Sequence, residues 1–266
     1  MRATTHTPLA LAAIVLTMLV VTEKVDAQSA LETVKKRGKL VVGVKTDAPP
    51  FGTVANGKNV GFDVDIAHRL AKALFNDENQ LKLVAVTDDE RVPFLQSKKV
   101  DIIIATMAIT DERRRVVEFS DPYFMSSSLL LVPKTSAARG IEDMAGKTVA
   151  TMPGSVQTRD VADLQPKAHR VQFSRLSETV LAVKNGQVDG HVNVDVVILA
   201  SVKDNPDLKA VGKPFHPRPV GIAVRKGDTE FINWVNAELR KMRSDGTYDR
   251  LWKTYFAEFE ADLVRP

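Results

Sequence analysis

The stretch VDIIIATMAITDERRRVVEFSDPYF, Val100 to Phe124, carries the reading that decides the fold. Its first part, through Ile102, Ile103, Ile104 and Ala105, is a near-continuous apolar run of the kind a strand shows when both faces are buried. The chain then turns polar, and Arg113, Arg114 and Arg115 follow in succession. Ligands of open α/β sheets bind outside the carboxyl ends of the strands, and Thr106 to Arg113 falls there. The arginines admit three readings: a nucleic-acid surface, a solvated helix face, or a clamp for one small anion.

Working outward, short β-rich runs alternate with amphipathic helical patterns, which predicts an α/β architecture. KLVVGVK (Lys39–Lys45) and LKLVAV read as strands. GFDVDIAHRLAKALF predicts a helix capped near Asp63, with Ile66, Leu70, Ala73 and Leu74 on one face. TDDERVPFLQS reads as a short helix capped by Asp88 or Asp89, because Pro93 is tolerated only near a first turn. SLLLVPK (Ser128–Lys134) is a further strand. The pattern then restarts: KTVATM strand, TRDVADLQ helix, RVQFS strand, SETVLAVKNG helix capped by Ser177. FLQSKKVDIIIA and AVKNGQVDGHVNV share the order helix, polar turn, Val-Asp, strand, a weak internal similarity that suggests two lobes on one plan. Near the end, Ile232, Val235, Leu239 and Met242 form one helical stripe, read as packing rather than as a cofactor site.

Composition narrows the function. Lysine and arginine exceed aspartate and glutamate by only 4, and acidic residues are interspersed, so nothing points to a nucleic-acid binder. The N-terminus has Arg2, an apolar run from Leu9 to Val21, and small residues at Val25 and Ala27. This is the layout of a secretory signal with cleavage after Ala27; the run is too short for a spanning helix. There is no cysteine, so an exported chain would rely on its core rather than on disulfides, and has no thiol for a lipid anchor. A free protein of a bacterial periplasm fits these features.

Four motifs in order, VGVKTDAPPFG, GFDVDIAHRLAKAL, VDIIIATMAITDERRRVVEFSDPYF and GIAVRKGD followed by LRKMRSDGTYDRLWKTYF, cover nearly all of the mature chain. Through them the chain resembles the periplasmic solute-binding proteins of amino-acid ABC transporters (solute-binding family 3), in motif nearest the glutamate/aspartate binders. The resemblance implies a two-lobed periplasmic-binding-protein fold of type II, with two hinge crossovers and the ligand in the cleft. Residues 1–27 would be the signal peptide, 28–132 and 221–266 the two parts of the first lobe, and 133–220 the second lobe. It also implies an amino-acid ligand, a permease partner in the inner membrane, a monomer, and no cofactor.

Residue by residue, the resemblance gives Arg113 a two-pronged bond to the ligand α-carboxylate, which a planar guanidinium matches. Backbone N–H groups around Thr106 and Ala108 would share that carboxylate. Ala108 stands where many relatives carry threonine, so one hydroxyl contact is lost. Arg114 and Arg115 are left as a solvated face. Asp195 is the expected partner of the ligand ammonium, although its spacing from Asp189 is one residue longer than usual, which leaves a bulge or a shifted partner such as Asn193 open. Ser155, in MPGS, would offer a hydroxyl, with Gln157 assisting. Lys45 and Arg91 stand where acidic-amino-acid binders hold a distal carboxylate, and Asp88 stands where neutral binders often place an aromatic. The plainer reading pairs Lys45 with Asp47 and Arg91 with Asp88 or Asp89. Phe51 either paves the cleft floor or belongs to the core.

Signals for enzymes are poor: no P-loop, GxSxG, HExxH or cysteine nucleophile occurs, and the histidines are scattered, so no metal site is expected. The rival reading is a cyclohexadienyl or arogenate dehydratase on the same fold, with Asp88 or Asp195 as general acid.

Overall fold

The computed structural model describes residues 29–266. The expected signal peptide and its cleavage after Ala27 lie outside the described residues.

Two five-stranded sheets carry the architecture. In the first, the spatial order is Leu81–Ala85, Leu40–Val44, Ile102–Ile103, Ala223–Arg225 and Val117–Phe119. The strands Leu40–Val44, Leu81–Ala85 and Ile102–Ile103 are parallel, and Ala223–Arg225 runs antiparallel to both of its neighbours. In the second, the order is His169–Gln172, Thr148–Thr151, Gly190–Val194, Phe124–Pro133 and Leu208–Val220. Here the first three are parallel, and Phe124–Pro133 is antiparallel to Gly190–Val194 and Leu208–Val220. A small sheet of Asp47–Ala48, Gly52–Ala55 and Lys58–Val60 follows the first strand. The chain thus forms the α/β two-lobed fold the motifs imply.

The chain crosses between the sheets twice. It leaves the first after Val117–Phe119 by entering Phe124–Pro133, and returns from Leu208–Val220 into Ala223–Arg225. The two crossings lie side by side, with Val220 opposite Phe124, and Val220 also bridges to Ala108. The expected boundary at residues 132 and 133 differs from this pairing, which puts all of Phe124–Pro133 in the second sheet. The stretch Met125 to Ser127 is too polar to read as strand from sequence, yet Met125 and Ser126 pair with Pro219 and Arg218.

Aromatic packing anchors the crossing. Phe124 lies 5.5 Å from Trp252, 5.0 Å from Phe256 and 4.9 Å from Phe51, centroid to centroid. Edge-to-face and offset pairs of this kind add to the gain from burial alone. Phe51 is fully buried in this cluster, so of its two readings the core role is the one observed. The stripe of Ile232, Val235, Leu239 and Met242 on the Thr229–Ser244 helix is buried in the same core.

Three expected helix caps differ. The Phe62–Phe75 helix starts from Gly61, and Asp63 lies inside its first turn, fully buried, with its carboxylate accepting from Thr106 N and the Tyr123 hydroxyl. The Arg91–Gln96 helix follows Glu90 rather than Asp88 or Asp89, and the Glu90 carboxylate accepts from Thr87 N at 2.9 Å. The Leu176–Lys184 helix begins one residue before Ser177, and its first N–H donates to Asp47 of the first lobe at 3.0 Å.

Candidate functional site

Strand ends from both lobes converge on one cavity. The first lobe contributes Lys45 and Asp47 at the end of Leu40–Val44, Asp88 and Arg91 after Leu81–Ala85, and Thr106, Ala108 and Arg113 beyond Ile102–Ile103. The second lobe contributes Met152, Ser155 and Gln157 after Thr148–Thr151, and Asn193 and Val194 from Gly190–Val194. Seven of the eight expected site residues therefore meet here: Lys45, Asp88, Arg91, Thr106, Ala108, Arg113 and Ser155.

Asp195 is the exception. It starts the Asp195–Asp204 helix, outside the cavity lining, and its carboxylate accepts from Ser127 N at 3.0 Å and Val196 N at 2.8 Å. Burial raises its pKa to about 6, against those hydrogen bonds. Asn193 and Val194 line the cavity in its place. Asn193 donates toward the Met152 sulfur at 3.5 Å and lies 3.2 Å from His191 Nε2.

Arg113 is placed by the Asp111–Arg114 turn, whose Thr110 hydroxyl accepts from the Arg113 backbone N–H at 3.2 Å. Its guanidinium donates to Ala108 O at 2.7 Å and to Gly154 O at 2.9 Å, spanning the two lobes. Burial and the neighbouring Arg91 cation lower its pKa to about 9, so it stays charged at neutral pH. Arg114 and Arg115 are exposed, as a solvated face requires. The arginine run therefore divides into one cleft cation and two surface charges.

Lys45, Arg91 and Asp88 form a second charged group. Arg91 is buried, with Nη1 3.2 Å from Asp88 Oδ1 and 3.0 Å from Ala105 O. Lys45 Nζ lies 3.5 Å from both Asp47 Oδ1 and Asp88 Oδ1. Both ion pairings of the plainer reading are thus present. Burial opposes ionisation of Asp88, but Arg91, Lys45 and Arg113 hold it below the ordinary carboxylate range. The lining still carries three cations, Lys45, Arg91 and Arg113, against the two carboxylates Asp47 and Asp88. Lys45 Nζ and the Ser155 hydroxyl, both buried, have no hydrogen-bond partner among the described residues. Buried donors are costly unless a partner meets them, so both atoms suit the oxygens of a ligand.

Asp63, which sequence reasoning took for a helix cap, supports this wall. Thr106, at φ 47°, donates its N–H to Asp63 Oδ2 at 3.1 Å, and Tyr123 donates its hydroxyl to Asp63 Oδ1 at 2.9 Å. The carboxylate thereby ties a cleft residue in a left-handed conformation to the residue just before the first crossing. Replacing Asp63 with alanine strands two buried donors, at roughly 1–3 kcal/mol each, and a fall in the urea midpoint of unfolding checks this. Burial raises the Asp63 pKa to about 7 from 3.8, against the hydrogen bonds from Tyr123 and Thr106. The folded state therefore holds a proton the unfolded chain has lost, so the contribution present at acid pH fades as pH rises between those two values. Asp63→Asn should flatten that part of the stability profile, and an unchanged profile would contradict the assignment.

The chain matches the family described as bacterial extracellular solute-binding proteins, family 3, over residues 40–258. It is 36% identical over 242 residues to an ABC transporter glutamine-binding protein of Bacillus subtilis (strain 168), covering 90% of this chain and 89% of that protein. Among solved structures, the P235GK mutant of ArgBP from T. maritima superposes with a TM-score of 0.81 at 39% identity, over 86% of this chain and 99% of that one. The ancestral amino-acid-binding protein AncCDT-1, a precursor of cyclohexadienyl dehydratase, gives 0.79 at 36% identity, over 86% and 100%. This chain belongs to the bacterial extracellular solute-binding proteins of family 3.

Proposed function

We propose that this solute receptor binds an acidic L-amino acid, aspartate or glutamate, between its lobes and delivers it to the permease of an ABC transporter. The relatives named above support an amino-acid ligand, and they are binding proteins rather than enzymes. The observation that carries the acidic reading is the charge count of the lining: one cation in excess, with Lys45 Nζ buried and lacking a hydrogen bond among the described residues. A ligand with two carboxylates and one ammonium brings a single net negative charge and closes that balance. A cationic side chain would add a like charge to a buried cluster, which is costly. In this reading Arg113 takes the α-carboxylate, Lys45 with Arg91 takes the distal one, and Ser155 adds a hydroxyl. Asp195, outside the lining, is replaced as ammonium acceptor by Asp47 or Asp88.

A neutral amide ligand is the second reading, favoured by one feature. Lys45 already lies 3.5 Å from two carboxylates, so donor and acceptor alternate as an amide group requires. The dehydratase reading loses its two acids. Asp88 is held ionised by three cations, which makes it a poor proton donor at neutral pH, and Asp195 faces backbone N–H groups.

For export, the N-terminal layout supports cleavage after Ala27 and release into a periplasm, and among the described residues no helix is long and apolar enough to cross a membrane. A thermal-shift screen of the mature protein against all common amino acids tests the ligand. Selective binding to the folded state stabilises it by roughly 4 kcal/mol at a thousandfold excess over Kd. The expected result is a large shift with aspartate or glutamate; shifts confined to neutral or basic amino acids would overturn the acidic reading.

A further inference from the structure

Gly154 sits in the second lobe, in the loop between the Thr148–Thr151 strand and the Gln157–Leu164 helix. Its φ is +72°. A Cβ built on it would stand 2.7 Å from Asp89 Cα, 2.7 Å from Asp89 N and 3.0 Å from Asp88 C. All three atoms are backbone of the opposite lobe, and backbone cannot swing aside as the tip of a side chain can. The Gly154 carbonyl meanwhile accepts from Arg113 Nη2 at 2.9 Å and from Arg91 Nη2 at 3.4 Å. One residue of the second lobe thus touches the first lobe's backbone and both arginines of the cleft.

We infer that Gly154 is the positioning contact for cleft closure: its missing side chain lets the lobes meet, and its carbonyl locks the two arginines when they do. The inference rests on the two-lobed receptor reading but not on which amino acid binds. It makes Gly154 matter to affinity through the arginines it orients. A methyl group at this position acts as a wedge between the lobes. Packing a group into backbone at such distances is strongly opposed, so the closed arrangement loses population while each lobe keeps its own contacts.

Two other contacts cross the same gap and report on it. Arg159 of the second lobe lies 3.1 Å from Glu112 of the first, both with side chains well exposed. Leu176 N donates to Asp47 at 3.0 Å. The Glu112–Arg159 pair suits labelling, because exposed pairs contribute little to stability and the chain has no cysteine of its own to interfere.

The test places spin labels on Glu112→Cys and Arg159→Cys and measures their separation by pulsed electron resonance, alone and with a mixture of the common L-amino acids. The same pair is then built with Gly154→Ala, and separately with Gly146→Ala. Gly146 has φ +70° with nothing within 4 Å of a built Cβ, so it controls for the strain of alanine in a left-handed conformation. The expected result is a short-distance population in the unsubstituted background and in Gly146→Ala that is lost in Gly154→Ala. Affinity for whichever amino acid shifts the melting temperature should fall about tenfold to a hundredfold in Gly154→Ala alone. A short-distance population retained in Gly154→Ala, or absent from every background, would overturn the inference, as would equal losses in the two glycine variants. Failure of the acidic reading would appear instead in the thermal-shift screen, with the distances unaffected.

Discussion

Arg113→Ala should abolish measurable binding of whichever amino acid shifts the melting temperature, while leaving the ligand-free protein folded. The substitution removes a charge-assisted, bidentate partner and leaves a ligand carboxylate enclosed without its cation, a loss of roughly 3–5 kcal/mol, or about a hundredfold or more in Kd. It also removes the bridge from Ala108 O to Gly154 O across the cleft. The fold should survive, because Arg113 lies at the cleft and outside the hydrophobic cores of both lobes. Arg115→Ala, at an exposed position two residues on, should change affinity by less than about threefold. Calorimetric titration of both variants checks the contrast. Equal losses would mean that the arginines act as a general charged face rather than as one clamp.

The largest effect on stability is expected at Asp160. This residue of the Gln157–Leu164 helix is fully buried. Its carboxylate accepts from Ser128 Oγ at 2.5 Å, His216 Nδ1 at 2.9 Å, Arg218 Nη1 at 2.9 Å and Arg218 Nη2 at 2.5 Å. It thus ties the helix to both long strands of the second sheet. Asp160→Ala leaves an arginine, a histidine and a serine facing a void, and should cost roughly 3–5 kcal/mol. For a chain of this size that corresponds to a fall in Tm of about 10 °C. Burial opposes the charge, but hydrogen bonds from Arg218, Ser128 and His216 hold the pKa below its ordinary value of 3.8. The stabilisation is therefore complete above that value and disappears as pH falls below it. Thermal unfolding of wild type and variant at neutral and acid pH should show the gap closing in acid, and a Tm within a degree or two of wild type at neutral pH would refute this role.

How much of this was legible in the sequence follows from what each residue must satisfy. Arg113 was singled out from its neighbours by the family resemblance; the residues alone placed the arginine run beyond the carboxyl end of a buried strand and left a charged face and an anion clamp both open. Lys45, Asp88 and Arg91 were legible as residues at strand ends, but their mutual distances were not, and only the fold shows Lys45 Nζ 3.5 Å from two carboxylates. Asp63 was misread because an aspartate at the start of a helix ordinarily caps it, and only the fold brings Thr106 and Tyr123 to its side. Asp195 was placed in the cleft by analogy, whereas it opens the Asp195–Asp204 helix and Asn193 and Val194 line the cavity. The contact of Asp47 with Leu176 N spans 129 residues of chain, and no local pattern encodes it.

On the proposed reading, the cleft with its excess cation should select an amino acid of net negative charge. Calorimetric titration of the mature wild-type protein with L-glutamate, L-aspartate, L-glutamine and L-asparagine at neutral pH tests it most directly. The expected result is that the better acid binds at least about a hundredfold more tightly than its amide, since an amide leaves the buried cation uncompensated. Amides binding as tightly as acids would contradict the claim, and would mean that Lys45 and Arg91 are neutralised by Asp47 and Asp88 before any ligand arrives.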